Sequence, residues 1–167
     1  MIPVYLAVCT SQELRNKMYD TLIVAIGSKV MTDDAVGYHI LQLLQKDNIT
    51  ADFVELGMDL FRLRLFFKNH KRVIILDALK GDYPPGTVLS FKYQDFQSNL
   101  DAKIRSIHHI GSIEAIEIMR NADEKLANAE IHFVGIIVDV IDKGLELTNC
   151  VAQALPEAAR TVKSLLK

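Results

Sequence analysis

Three short apolar runs constrain this chain more than any other feature of its sequence. Thr21 to Gly27 reads TLIVAIG, Arg72 to Asp77 reads RVIILD, and Ile131 to Val138 reads IHFVGIIV. The runs are rich in β-branched residues and are of strand length rather than helix length. Strands covered on both faces look like this, as in a parallel sheet held between two layers of helix.

Between the runs lie segments with helical period. Ala35 to Gln45 sets Val36, Ile40, Leu41, Leu43 and Leu44 on one face. Leu60 to Lys68 reads as a second helix, and Ile110 to Arg120 carries an isoleucine stripe (Ile110, Ile113, Ile116). Val151 to Leu166 closes the chain as an amphipathic helix, which Pro156 either kinks or starts. Ala51 to Leu56 and Thr87 to Lys92 add two more strands, with Pro85-Gly86 as the turn before the latter. Lys92 to Arg105 is polar and weakly patterned, a long loop with one helical turn at most. Strands separated by helices require crossover connections. The simplest solution is a mostly parallel, twisted, five-stranded sheet with helices on both faces, a three-layer α/β/α fold. A chain of 167 residues holds one such domain, assigned here to residues 21–167, with residues 1–20 as an N-terminal extension.

Composition narrows the function. Half the residues are apolar and 24% are charged, the balance of a globular protein. A net charge of −2 supplies no basic field for a nucleic-acid backbone. No apolar run approaches the roughly 20 residues of a membrane span. No positive region precedes the apolar Met1–Cys9, so a cytoplasmic location is expected rather than secretion. Cys9 and Cys150 belong to no metal-binding pattern and read as reduced, half-buried small hydrophobes.

Ligands of open α/β sheets collect beyond the carboxyl ends of the strands. Three polar groups are expected there. The stretch from Gly27 to Gly37, GSKVMTDDAVG, leads from the first strand into the first helix. Thr32 or Asp33 can cap that helix, while the other carboxylate is available as a metal ligand. The stretch lacks the glycine spacing of a phosphate loop, which counts against nucleotide binding. Asp77 ends RVIILD, where a carboxylate needs a cation, N–H donors or solvent. Ser106-Ile107-His108-His109-Ile110-Gly111 precedes the striped helix and offers imidazole, a common metal ligand. His39, His70 and His132 read as helix-surface, loop and strand residues without a comparable setting. Two carboxylates and an imidazole suit Zn, Ni, Mn or Cd, with positions left open for substrate or water.

The order IVAIGS, TDDAVG, VELG, RVIILDAL, PPGTV, SIHHIG, FVGI and KGLELTNCV resembles the endopeptidases that mature nickel-iron hydrogenases, over nearly the whole chain from Leu22 onward. The resemblance implies an enzyme that removes the C-terminal extension of a hydrogenase large-subunit precursor, its expected partner. Nickel already installed in that precursor would be the recognition element, with Cd or Zn able to replace it in vitro. Carried over by position, Asp34, Asp77 and His108 would be both the metal-contacting and the catalytic residues, with His108 preferred to His109. Gly57, Met58 and Asp59 occupy the substrate-recognition loop, where the family carries an Asp-Gly-Gly-Thr-like sequence. Ser28-Lys29 stands where the family usually has asparagine. The alternative reading is a non-catalytic chaperone that binds the nickel-loaded precursor without cutting it.

Overall fold

The three apolar runs become the three central strands. The computed structural model describes residues 19–98, 105–106 and 111–167. In it β1 (Thr21–Ile26), β3 (Arg72–Lys80) and β6 (Glu130–Ile137) lie side by side and parallel. β2 (Asp52–Gly57) adds in parallel beyond β1, and β4 (Val88–Lys92) adds antiparallel beyond β6. The order is therefore β2-β1-β3-β6-β4, with a two-residue strand, β5 (Arg105–Ser106), paired to the far end of β3. The edge strands are only partly buried, whereas β1 is buried throughout, as its unbroken apolar sequence requires.

Alternation along each strand divides the core in two. On one face Leu22, Val24, Ile26, Val73, Ile75, Ile131 and Phe133 pack with Ala115, Ile116 and Met119 of α4 (Ser112–Ala122). On the other, Ile23, Ala25, Ile74, Leu76, Val134 and Ile136 pack with α1 (Val36–Lys46) and α6 (Asn149–Leu165). Each fully buried Ile or Leu contributes about 1.5–3 kcal/mol relative to exposure. Two short helices, α2 (Leu63–Phe66) and α3 (Tyr93–Ser98), follow β2 and β4, and α5 (Glu124–Asn128) follows α4. The Pro85-Gly86 turn is present, closed by Thr87 N–H on Pro84 O at 3.1 Å.

Several expectations change. β3 does not stop at Asp77 but runs on to Lys80, because β6 continues to pair with it as far as Leu79. α6 starts at Asn149, before the expected residue 151, and Pro156 lies inside it on an exposed side rather than in its first turn. Cys150 is exposed, not half-buried, since the first turn of α6 turns it away from the sheet. In the stretch expected as loop with one helical turn, Lys92 ends β4 and Tyr93–Ser98 form α3, while residues 99–104 fall outside the described residues, as do Cys9 and the rest of residues 1–18.

Candidate functional site at the carboxyl ends of the strands

The site arises from a mismatch in strand length. β1 pairs with β3 only as far as Ala25–Leu76, and β5 takes over at Leu79. Asp77 and Ala78 thus fall between the two partners on one side of β3. On the other side they still pair with Gly135 and Ile136 of β6. The strand stays regular, so Asp77 is held rigidly and is only 1% exposed.

The loop after β1 packs against this end of β3 through a 3-10 turn, Thr32–Ala35. Two glycines allow the approach. A Cβ on Gly37 would stand 2.6 Å from both the Ile26 and the Leu76 carbonyl oxygens, so only glycine lets α1 begin against β1 and β3. Gly27 has φ +121, and a Cβ there would fall 1.9 Å from the Asp34 carbonyl oxygen. Asp34, 4% exposed, accepts a hydrogen bond on Oδ2 from Ser28 N–H at 2.7 Å.

Its neighbour Asp33 does different work. Neither it nor Thr32 caps the turn, whose N-cap is Met31 without a side-chain bond. Both Asp33 oxygens are instead taken by Thr148, at 2.7 Å from the backbone N–H and 2.8 Å from the hydroxyl. The same tie holds Thr32, whose φ of +36 is unusual for a β-branched residue. Its Oγ1 donates to Val140 O at 3.2 Å and accepts from Asp142 N–H at 2.9 Å, and its N–H donates to Gly144 O at 2.9 Å. The segment before α6 therefore fixes the turn that carries Asp34.

Asp77 faces the α4 side of the sheet and accepts on Oδ2 from Ser112 Oγ at 2.6 Å. His108 and His109 lie outside the described residues. Their described neighbours, Ser106 and Ser112, are both held at the Asp77 end of β3, by pairing with Leu79 and by the hydroxyl bond. Among the described residues no group of three His, Cys, Asp or Glu side chains forms a metal cluster. Three buried carboxylates, Asp33, Asp34 and Asp77, and the turn that carries the first two to this end of the sheet are what the described residues contain.

Beside them opens a cleft of about 520 Å3 between the loops after β1 and β2, and Gly57, Met58 and Asp59 line it together with Ser28 and Lys29. Its floor is Ala25, Ile26 and Leu56, and Arg62 closes one side, donating to Leu56 O at 3.1 Å. Lys29 pairs with Glu55 and lies 3.8 Å above the Tyr38 ring. Asp59 caps the following 3-10 turn by accepting from Phe61 N–H at 3.0 Å.

The remaining histidines are more engaged than the sequence suggests. His70 and His132 are buried, at 3.0 Å from Asp52 and Glu130 respectively. His39 is half-buried, and burial pushes its pKa below the ordinary value. Sequence reasoning missed Ser112 and Thr148, because serine and threonine beside a helix start read as caps. In the structure both side chains bind aspartates from other elements, and Thr148 makes no cap bond.

A mostly parallel sheet with buried carboxylates and an open cleft at its carboxyl ends defines an α/β enzyme scaffold. A family model described as hydrogenase maturation protease matches residues 38–165, and the chain belongs to that family. It is accordingly a peptidase, a hydrolase of peptide bonds. It is 38% identical over 137 residues to Protein FrxA of Pyrococcus furiosus, covering 82% of this chain and 98% of that protein. It is 26% identical over 153 residues to the Hydrogenase 2 maturation protease of Escherichia coli, covering 87% and 90%. Among solved structures, the [NiFe] hydrogenase maturation protease HybD from Thermococcus kodakarensis superposes with a TM-score of 0.78 at 34% identity, covering 88% and 99%. No described helix is long and apolar enough to cross a membrane.

Proposed function

We propose that this peptidase removes the C-terminal extension of a [NiFe]-hydrogenase large-subunit precursor, and that it recognises the nickel which that precursor carries. The observation that carries the reading is the pair Asp34 and Asp77, both at least nine-tenths buried at one end of the sheet in a chain of the maturation protease family. Burying carboxylates is costly unless a cation or hydrogen-bond donors compensate, and oxygen donors with one imidazole suit a borderline divalent metal. The donor set fits nickel if His108 completes it.

In this reading the three side chains dock on the precursor's nickel and set the scissile bond in the crevice. A nickel-polarised carbonyl or water lowers the barrier to hydrolysis, with a carboxylate able to hold that water as general base. The cleft at Gly57, Met58 and Asp59 takes the adjoining peptide. Exposed apolar side chains around this end of the molecule, Met58, Val30, Val140 and Leu145, suit a protein-sized substrate. A cytoplasmic site of action is part of this reading.

The test is incubation of the purified protein with nickel-loaded precursor, followed by intact-mass spectrometry. The wild type is expected to shorten the precursor by a C-terminal peptide. Asp34→Ala, Asp77→Ala and His108→Ala should each lose about a hundredfold or more in rate, as removal of several kcal/mol of transition-state stabilisation predicts. Their melting temperatures should stay high enough to show folded protein. Three variants cleaving at wild-type rates sink the metal-directed route. An uncut precursor that co-elutes with the protein favours the chaperone reading instead.

A further inference from the structure

We propose that Ser112 is a positioning residue for Asp77, fixing the carboxylate that meets the substrate's metal. The inference rests on the function proposed above and adds a residue to its site.

The contact is short and dry. Ser112 Oγ lies 2.6 Å from Asp77 Oδ2, and the two residues are 3% and 1% exposed. A hydroxyl-to-carboxylate bond of this length falls in the charge-assisted range, stronger than one between neutral groups. It also halts rotation of the carboxylate about its Cβ–Cγ bond, so both oxygens acquire set directions.

The hydroxyl reaches out of the helix it belongs to, onto a carboxylate of the sheet. Gly111 is the N-cap of α4 and, as glycine, brings no capping side chain of its own. The Gly111 carbonyl already accepts from Ala115 N–H at 3.0 Å, so the first turn closes without Ser112 Oγ. α4 is itself fixed to the sheet through Ala115, Ile116 and Met119. Ser112 is thus a donor on a rigid helix, aimed at a carboxylate on a rigid strand. Such a pairing sets an angle rather than following one. Groups that orient a metal-contacting side chain typically change metal affinity or activity by about tenfold to a hundredfold when removed.

Cd2+ titrated calorimetrically into the full-length protein tests this without any precursor, alongside kcat and KM on nickel-loaded precursor. Ser112→Ala is expected to weaken Cd2+ binding by about tenfold to a hundredfold and to lower kcat/KM. Ser112→Thr, which keeps the hydroxyl, should recover most of both while leaving the melting temperature near that of Ser112→Ala. Should the alanine variant fail to fold, Ser112→Gly removes the same hydroxyl. Wild-type Cd2+ affinity and kcat/KM in the hydroxyl-free variant, with Asp77→Ala still losing both, overturn the role of Ser112 alone. Cd2+ binding that Asp77→Ala leaves intact, with precursor cleavage equally intact, overturns the metal reading and this inference together.

Discussion

The two ends of the sheet treat their carboxylates differently. At the amino ends, Glu130 lies 3.0 Å from Arg72, 2.9 Å from Lys92 and 3.0 Å from His132. Asp52 meets His70 at 3.0 Å, and Asp20 meets Lys71 at 2.9 Å. At the carboxyl ends the exposed Glu55 pairs with Lys29 on the cleft wall, while the buried Asp33, Asp34 and Asp77 accept hydrogen bonds from Thr148, Ser28 and Ser112, through hydroxyl and amide hydrogens. Arg72 and Lys92 are cations that offset the Glu130 charge and tie β3 and β4 to β6. A hydroxyl or amide donor fixes where the oxygens point. The first arrangement holds the sheet; the second prepares a site.

If the carboxyl end is a built geometry, it should not tolerate extra volume. Gly37→Ala is expected to have the largest effect on the fold. Its Cβ would press on the Ile26 and Leu76 carbonyls at 2.6 Å, and these are backbone atoms inside the sheet that cannot swing aside. Overpacking of this kind costs about 1–3 kcal/mol, and the upper part of that range is expected here. Because α1 and the Asp34 turn move together, peptidase activity should fall further than stability does. Urea unfolding and precursor cleavage on the same preparation check this. A variant of unchanged stability would mean that α1 has slack and that the close approach is incidental.

The amino end should respond in the opposite sense. Arg72→Met keeps the aliphatic stem but removes a partner of Glu130, at a site about one-third exposed on each side chain. Solvent screening limits such pairs to about 1 kcal/mol or less. The expected result is a small drop in urea midpoint with cleavage unchanged. A large loss of activity from this change would break the division of labour between the two ends.

How much of this was legible in the sequence follows the same division. The β-branched runs specify the central strands, because burial on both faces leaves no room for polar alternation. Asp77 and the Asp33-Asp34 pair stand out as carboxylates next to apolar runs, where sheets of this class bind ligands, and the resemblance to the maturation endopeptidases singles out Asp34. The continuation of β3 past Asp77 was not legible, since it depends on β6 and β5 supplying partners where β1 has ended. The role of Asp33 was hidden for a related reason. Its partner Thr148 lies far along the chain, and only the folded sheet brings the two together. His70 and His132 looked idle in sequence because each carboxylate partner comes into reach only through the strand geometry.

The smallest expected effect, and the sharpest probe of the amino end, is its response to acid. Lys92, then His132 and Arg72, hold the Glu130 pKa down from 4.5 to about 2. The folded protein therefore binds this proton less readily than the unfolded chain does. The stabilisation is complete above about pH 4.5 and drains away as pH falls from there through about 2. With the Glu130 side chain 35% exposed, screening keeps the contribution modest. Urea midpoints of wild type and Glu130→Gln should differ most above pH 4.5 and converge toward pH 2. A gap that stays constant over that interval would mean that Glu130 acts through packing and neutral hydrogen bonds, and the contrast between the two ends would then lose its electrostatic basis.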